Sequence, residues 1–269
     1  MNSSKHNFNA IIQARMGSNR LPKKVLKKIN GKPMLDYVIN QTLSSKFIKN
    51  VIIATTLEKE DLEIVEYCKN NDLKYFRGSK NDLLDRYYRC AKKFKCNTII
   101  RITSDCPLID PELIDKMISH FMKNNNDYYS NNFEKINGDW KNSKCNFPQG
   151  MTVEICTFST LERAWKSASS LSEREHVFPY VQFHPELFNL KNEIFHHDLS
   201  YIRCTVDHPE DLEFICKIYE LMPKNLDYIT ISEIETIVKQ HPEIVKINNF
   251  IDFEEGFKIS LDKERNLKK

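Results

Sequence analysis

Residues 11–26 read IIQARMGSNRLPKKVL, an apolar pair, Ile11-Ile12, running directly into a turn that carries Arg15, Gly17, Ser18, Arg20, Lys23 and Lys24. Small residues and cations at the carboxyl end of a first strand suit the triphosphate of a nucleotide. Exposed backbone N–H groups and guanidinium forks can share several negative charges there. The turn is neither G-x-G-x-x-G nor G-x-x-x-x-G-K-[ST], the two common phosphate-loop fingerprints. In isolation a basic surface loop would read the same way, so the surrounding chain has to decide.

Around this turn, short β-rich runs alternate with helical patterns. Ala10 to Gln13, Val51 to Thr55, Lys74 to Phe76 and Thr98 to Thr103 are expected as strands, and Met34 to Leu43, Leu62 to Asn70 and Leu83 to Phe94 as helices. In the third helix Leu83, Leu84, Tyr87, Tyr88, Ala91 and Phe94 recur at three- and four-residue intervals, the spacing of one buried stripe. Such alternation predicts an α/β fold: a Rossmann-like, mainly parallel sheet with helices on both faces and a ligand crevice at the carboxyl ends of its strands. The phosphate turn and Asp105 both fall at such ends.

After Met122 the rhythm changes. Residues 123–149 are polar and rich in Asn and Lys, Met151 to Cys156 reads as a strand, and helices are expected over Thr160 to Ser167 and Arg174 to Phe183. An extended stretch near Leu187 to Phe195 and a strand at Ile202 to Val206 follow, then helices at Pro209 to Leu221 and Ile231 to Gln240. The expectation is one domain over 1–269, with an inserted element of about 128–195, the sheet resuming at Tyr201, and a helical tail over about 223–269 that is loose beyond Phe250.

Composition narrows the class. The chain has 269 residues, enough for one large core, and its net charge of +3 from 40 basic and 37 acidic side chains is too even to suggest nucleic acid as a partner. No N-terminal apolar stretch reaches signal-peptide length and no segment suits a bilayer, so a cytoplasmic protein without membrane insertion is expected. The eight cysteines, 68, 90, 96, 106, 145, 156, 204 and 216, contain no C-x-x-C pair and suggest neither a zinc knuckle nor a disulfide framework. Cys106, beside Asp105, reads as a packing residue because no base is near it in sequence.

Five motifs occur in order: Arg15 to Lys24 in the form R-x-G-S-x-R-L-P-x-K; Phe76-Arg77-Gly78-Ser79 with Asp82 to Tyr87; Arg101 to Pro111 (RITSDCPLIDP); Glu173 to Val177 (EREHV); and Thr205 to Glu213 (TVDHPEDLE). Together they resemble the sugar-activating cytidylyltransferases, which link CMP to acidic sugars such as 3-deoxyoctulosonate and acylneuraminate. The spore-coat polysaccharide branch is the nearest in pattern, from Phe8 to about Leu261. The resemblance implies a nucleotidyltransferase fold of the glycosyltransferase-A type, magnesium as cofactor, CTP and a sugar or sugar acid as partners, and a homodimer. The inserted element would bind sugar and pair the subunits, with Phe147, Trp165, Val181, Phe183 and Phe188 as apolar contacts.

Carried residue by residue, the resemblance makes Asp105 and Asp207 the magnesium ligands, and Lys24 and Arg15 their catalytic companions. It assigns nucleotide binding to Gln13, Ala14, Arg15, Gly17, Ser18, Arg20, Lys24, Arg77, Ser79, Asp82, Arg101 and Ser104. Acceptor binding falls to Gln149, Glu154, Arg174, His176 and Arg203. By residue type alone Asp207 before x-Pro could equally cap a helix, as Asp110 is expected to, Asp82 could sit in a solvated loop, and His176 could be structural. Two departures stand out. Lys23 stands where relatives often carry glycine, implying a stiffer loop or an extra phosphate contact, and Gln149 and Thr152 replace the two acids of D-G-L-D-V-E.

The activity expected is magnesium-dependent transfer of CMP from CTP to a sugar or sugar acid, with release of pyrophosphate, for surface polysaccharide or glycan synthesis. Uridylyl or guanylyl transfer to a sugar phosphate is the alternative within the class. A non-catalytic nucleotide-binding protein would have no need of both carboxylates. A glycosyltransferase would carry D-x-D where this chain has Ser104-Asp105-Cys106.

Overall fold

The computed structural model describes residues 8–132 and 146–252, together with Glu255 and Lys258. Strand β1 (Phe8–Gln13) enters the phosphate turn, which leads through a short hairpin, β2 (Lys28–Ile29) and β3 (Lys32–Pro33), to helix α1 (Met34–Leu43). Then β4 (Ile48–Thr56), α2 (Leu62–Asn70), β5 (Lys74–Gly78), α3 (Leu83–Lys93), β6 (Thr98–Thr103) and α4 (Pro111–Lys123) complete the alternating half. The second half runs β7 (Tyr128–Ser130), β8 (Glu154–Thr157), α5 (Phe158–Ser167), α6 (Leu171–His176), α7 (Pro179–Phe183), β9 (Leu190–Asn192), α8 (Pro209–Leu221) and α9 (Ile231–Gln240).

Seven strands form one sheet in the order β5-β4-β1-β6-β8-β7-β9, with β8 antiparallel to both of its neighbours and the other pairs parallel. Successive strand side chains point to opposite faces, and each face is buried. Ala10, Ile12, Val51, Ile53, Ile100 and Ile102 pack with apolar residues of α1, α4, α8 and α9. Ile11, Ile52, Ala54 and Ile99 pack with those of α3, α5 and α7. A mainly parallel sheet covered on both faces is therefore the observed architecture.

Three details differ from the sequence expectation. The sheet does not resume at Tyr201: β7, β8 and β9, from within 128–195, are its continuation, and Ile202 to Val206 is no strand. There the chain forms one isolated parallel bridge, Gln149 with Arg203, through Gln149 N to Ile202 O at 2.8 Å and Cys204 N to Gln149 O at 2.7 Å, and Val206 N donates to Asp105 O at 2.8 Å. The helix expected at Arg174 to Phe183 is split into α6 and α7 because Val177 takes φ 75°, outside helical geometry. Phe147, Val181 and Phe188 are buried within the chain, so they close its own core rather than offering a surface. Trp165 stacks on Tyr88 at 4.1 Å, and only Phe183 of the five is exposed. Cys145, the Asn- and Lys-rich stretch 133–145 and most of the tail beyond 252 lie outside the described residues.

Candidate active site

The turn after β1 is closed by its own backbone and by one buried acid. Ser18 N and Lys23 N donate to Met16 O at 2.9 and 3.1 Å, and Met16 N donates to Asp61 Oδ1 at 2.6 Å. Asp61 also accepts the Thr56 hydroxyl. Nothing in the acidic run Glu58 to Asp61 distinguishes this residue by sequence. Lys23 adopts φ 58°, a left-handed conformation that glycine takes without steric cost. Its ammonium reaches Glu63 at 2.6 Å.

One residue on, Lys24 turns inward. Its Nζ donates to Asp105 Oδ2 at 3.0 Å, Asp207 Oδ1 at 2.9 Å and the Val206 carbonyl at 2.7 Å. Burial alone would lower the lysine, but Asp105 and Asp207 outweigh it and its pKa stands above the ordinary value. Burial would raise Asp105; the Lys24 charge and hydrogen bonds bring its carboxyl below the usual range instead. Arg20 adds a second cation, with NH2 at 2.6 Å from Asp207 Oδ1 and NH1 at 2.7 Å from Glu255 Oε2, which also meets His208 Nε2 at 2.9 Å. Arg15, on the same turn, is exposed.

Asp207 does not cap α8. That task belongs to Asp211, whose Oδ2 accepts both Asp207 N and His208 N at 2.9 Å and whose carboxylate is gripped by Arg203 at 2.8 and 3.2 Å. The Asp207 side chain is thereby left pointing at Lys24 and Arg20. Gly150 makes the approach possible: at φ +90°, a Cβ there would lie 2.7 Å from Thr205 N and 2.9 Å from Cys204 C. Gln149 accepts Arg203 NH1 at 3.4 Å and donates to Ser200 O at 2.8 Å. By contrast Asp110 is the expected cap, accepting Glu112 N, Leu113 N and Ile231 N.

A second polar cluster lies on the α3 face of the sheet, where the two-residue period sets Gln13, Arg101 and Glu154 side by side. Arg101 pairs with Glu154, and its Nε donates to Gln13 Oε1 at 3.1 Å. Tyr87 and Tyr128 donate to Gln13 and Glu154 at 2.7 and 2.6 Å. Glu154 and Arg203, expected at the acceptor, are both buried in these pairings. Charges on Arg101 and Glu154 act on His176, whose pKa burial lowers. In the loop after β5, Arg77 donates to the Thr56 and Glu58 carbonyls at 3.0 and 3.2 Å. Ser79 accepts Asp82 N at 3.1 Å, and Asp82 caps α3 at Asp85 N at 2.8 Å. Arg174 lies 3.4 Å from Asp82 Oδ2. Ala14 and Ser104 are buried, Ala14 N donating to Ala54 O at 3.1 Å. Cys106 is buried, and burial pushes its thiol up, away from nucleophilic use.

The structure thus brings Lys24, Arg20, Asp105 and Asp207 into mutual contact, with Arg203 behind them, and sets the Gln13 and Asp82 groups apart. Two oxygen-only carboxylates and a carbonyl converge on one cation, the Lys24 ammonium. This donor set is hard and suits magnesium, which is held by one or two carboxylates while substrate phosphates and water supply the rest. Among the described residues no group of three or more His, Cys, Asp or Glu is placed to hold a metal alone.

A family model described as cytidylyltransferase matches residues 9–241. An uncharacterized protein of Methanocaldococcus jannaschii is 37% identical over 250 residues, 89% of this chain and 93% of its own length. The spore coat polysaccharide biosynthesis protein SpsF of Bacillus subtilis is 33% identical over 244 residues, 87% of this chain and 94% of its own. Among solved structures, a cytidylyltransferase from Leptospira borgpetersenii superposes with a TM-score of 0.80 at 33% identity, over 89% of this chain and 96% of that one.

Proposed function

The chain belongs to the cytidylyltransferase family and is a nucleotidyltransferase enzyme, and on that premise we propose that it transfers CMP from CTP to a sugar or sugar acid. Pyrophosphate is the leaving group, and the product feeds surface polysaccharide or glycan synthesis, as the name of the B. subtilis relative suggests for that protein. The observation that carries this reading is the meeting of Lys24 with Asp105 and Asp207 at the carboxyl edge of the sheet, next to the phosphate turn.

Magnesium bound by Asp105 and Asp207 would neutralise phosphate charge and polarise the α-phosphoryl group. The protein's own groups do the rest. Arg15 and Arg20 hold the outer phosphates, and the Lys24 ammonium moves from its carboxylates to the α-phosphate, where negative charge builds as the acceptor hydroxyl attacks. Arg203 and Asp211 keep Asp207 turned toward the turn. With Glu154 and Arg203 buried in pairs, the acceptor is met by Arg174 and His176. Pairing of subunits through 128–195 would use Phe183, Leu187 and Ile194, which are exposed. Among the described residues no helix is long and apolar enough to cross a membrane, and a cytoplasmic setting, where CTP is made available, completes the reading.

The test is pyrophosphate release from CTP, UTP, GTP and ATP against a panel of acidic sugars and sugar phosphates, with Asp207→Asn as control. Release from CTP with an acidic sugar, lost by orders of magnitude in Asp207→Asn, is expected. Release that favours UTP or GTP with a sugar phosphate would overturn the cytidylyl reading.

A further inference from the structure

Arg86 is a buried cation without a task in the site described above. It lies in the first turns of α3, is 3% exposed, and its Nε and NH1 have no hydrogen-bond partner among the described residues. Its backbone N donates to Asp82 O at 3.1 Å, which ties it to the loop after β5. The stem of the side chain runs past Gly78, where a Cβ would stand 3.0 Å from Arg86 Cγ, so the absence of a side chain at 78 makes its path. The charges that act on its guanidinium are those of Arg15 in the phosphate turn and Asp61 beneath it, with Tyr87 and Cys90 of its own helix. Asp61 offers no acceptor to Arg86 Nε or NH1; its oxygens accept Met16 N and the Thr56 hydroxyl.

Arg86 follows the loop after β5 within the first turn of α3, and Arg15 of the turn after β1 is near enough for its charge to act on the guanidinium, so this group lies between that turn and that loop. A nucleotide laid across these two elements spans the same ground. Buried polar groups are normally paired, and one left without a partner is a place for a ligand to complete.

We infer that Arg86 is a nucleotide-binding residue that selects the base, its guanidinium donating to the O2 and N3 edge of cytosine. The inference rests on the cytidylyl reading above. The phosphates already have Arg15, Arg20 and Lys24, whereas Arg86 belongs to the helix that opens after the β5 loop. Cytosine presents two acceptors side by side, which a guanidinium fork meets with two donors. Uracil carries N–H in place of the N3 acceptor, and sets donor against donor.

Calorimetric titration of CTP, UTP and cytidine into wild type, Arg86→Met and Arg86→Lys tests this, with thermal melting of each free protein alongside. Arg86→Met should weaken CTP and cytidine by the same factor, about 10- to 100-fold, and leave UTP nearly unchanged. Its melting temperature should hold or rise, since an unpaired buried charge has been removed. Arg86→Lys keeps the charge without the fork and should discriminate less than wild type. Loss of CTP affinity with cytidine unaffected would show a phosphate contact and overturn the inference. So would an unchanged preference for CTP over UTP, or a lower melting temperature with every ligand weakened alike. A wild-type protein that does not prefer CTP takes down the cytidylyl reading itself; a preference that survives in Arg86→Met takes down the role of Arg86 alone.

Discussion

The Lys24 ammonium donates to the Asp105 carboxylate at 3.0 Å across 81 residues of sequence. With Asp207 at 2.9 Å on the same nitrogen, the turn after β1, the end of β6 and the segment before α8 are tied at one point. The lysine holds the place between the carboxylates that the proposed reaction requires for a divalent cation. At that place the two cations are therefore alternatives.

Lys24→Met should leave Asp105 without its paired cation while Asp207 keeps Arg20 and Arg203, at a cost of about 3 kcal/mol at neutral pH. Because pairing holds Asp105 below its ordinary pKa, the stabilisation it lends is full above the usual carboxylate range and fades as pH falls through the lowered value. The variant should thus approach wild type in acid. Millimolar Mn2+ should raise the melting temperature of Lys24→Met and barely move that of the wild type. Equal metal shifts in the two proteins would show that the lysine does not occupy the metal's place.

Much of this site could be read from sequence, and the parts that could not have physical reasons. The strand over Thr98–Thr103 and the helices over Met34–Leu43 and Leu62–Asn70 have the bounds that period and flanking residues suggest, since burial on one stripe or two faces dictates them. Alternation misleads at Ile202, Cys204 and Val206. All three are buried as a strand's would be, yet the segment makes one isolated bridge to Gln149 and one bond to Asp105 O rather than a ladder. The phosphate turn is visible in its cations, but Asp61, which fastens it, and Asp211, which frees Asp207 from capping, are ordinary acids by sequence. Their roles depend on contacts between segments far apart in the chain. Arg86 was unremarked for the same reason: helical spacing marks it as one charged residue among several on α3, and only packing shows it buried.

Gly150→Ala should be among the costliest small substitutions. The residue is at φ +90°, and the new methyl would meet Thr205 N at 2.7 Å, a backbone atom that can yield only by moving the chain toward Asp207. A loss of about 2–4 kcal/mol in denaturant unfolding is expected. Turnover should fall more than CTP affinity, because the displaced carboxylate acts on the reacting phosphate. A variant with wild-type stability would show that the approach of 150 to 205 is not tight in solution.

His176 should give the folded protein a dependence on mild acid. Burial lowers its pKa, Arg101 pulls the same way, and Glu175 and Glu154 oppose them without prevailing. The unfolded chain therefore binds a proton that the folded one resists, and stability declines as pH falls through the ordinary histidine range. One such proton contributes a slope of at most about 1.4 kcal/mol per pH unit. Melting followed from pH 8 to 5.5 should show this decline, and His176→Gln should flatten it. An unchanged slope in the variant would place the titrating group elsewhere.

Arg174 decides whether the proposed dimer shares its active sites. Its guanidinium lies 3.4 Å from Asp82 of the same chain, so Arg174 stands beside the loop after β5 of its own chain. Loss of this cation in Arg174→Ala should reduce turnover while Asp82 keeps its cap on Asp85, leaving the fold intact. Asp105→Asn removes the metal carboxylate with little change of shape. If each site is completed within one chain, a mixed dimer of Asp105→Asn and Arg174→Ala subunits still holds one defect in each site, and the mixture should be no more active than the better variant alone. If Arg174 instead served the neighbour's acceptor, one site in every mixed dimer would collect both defects and the other would have none. Activity would then return to as much as half the wild-type rate per mixed dimer. Light scattering on the same samples must show dimers for the comparison to hold, and recovery in mixed dimers would overturn the intrachain assignment of Arg174.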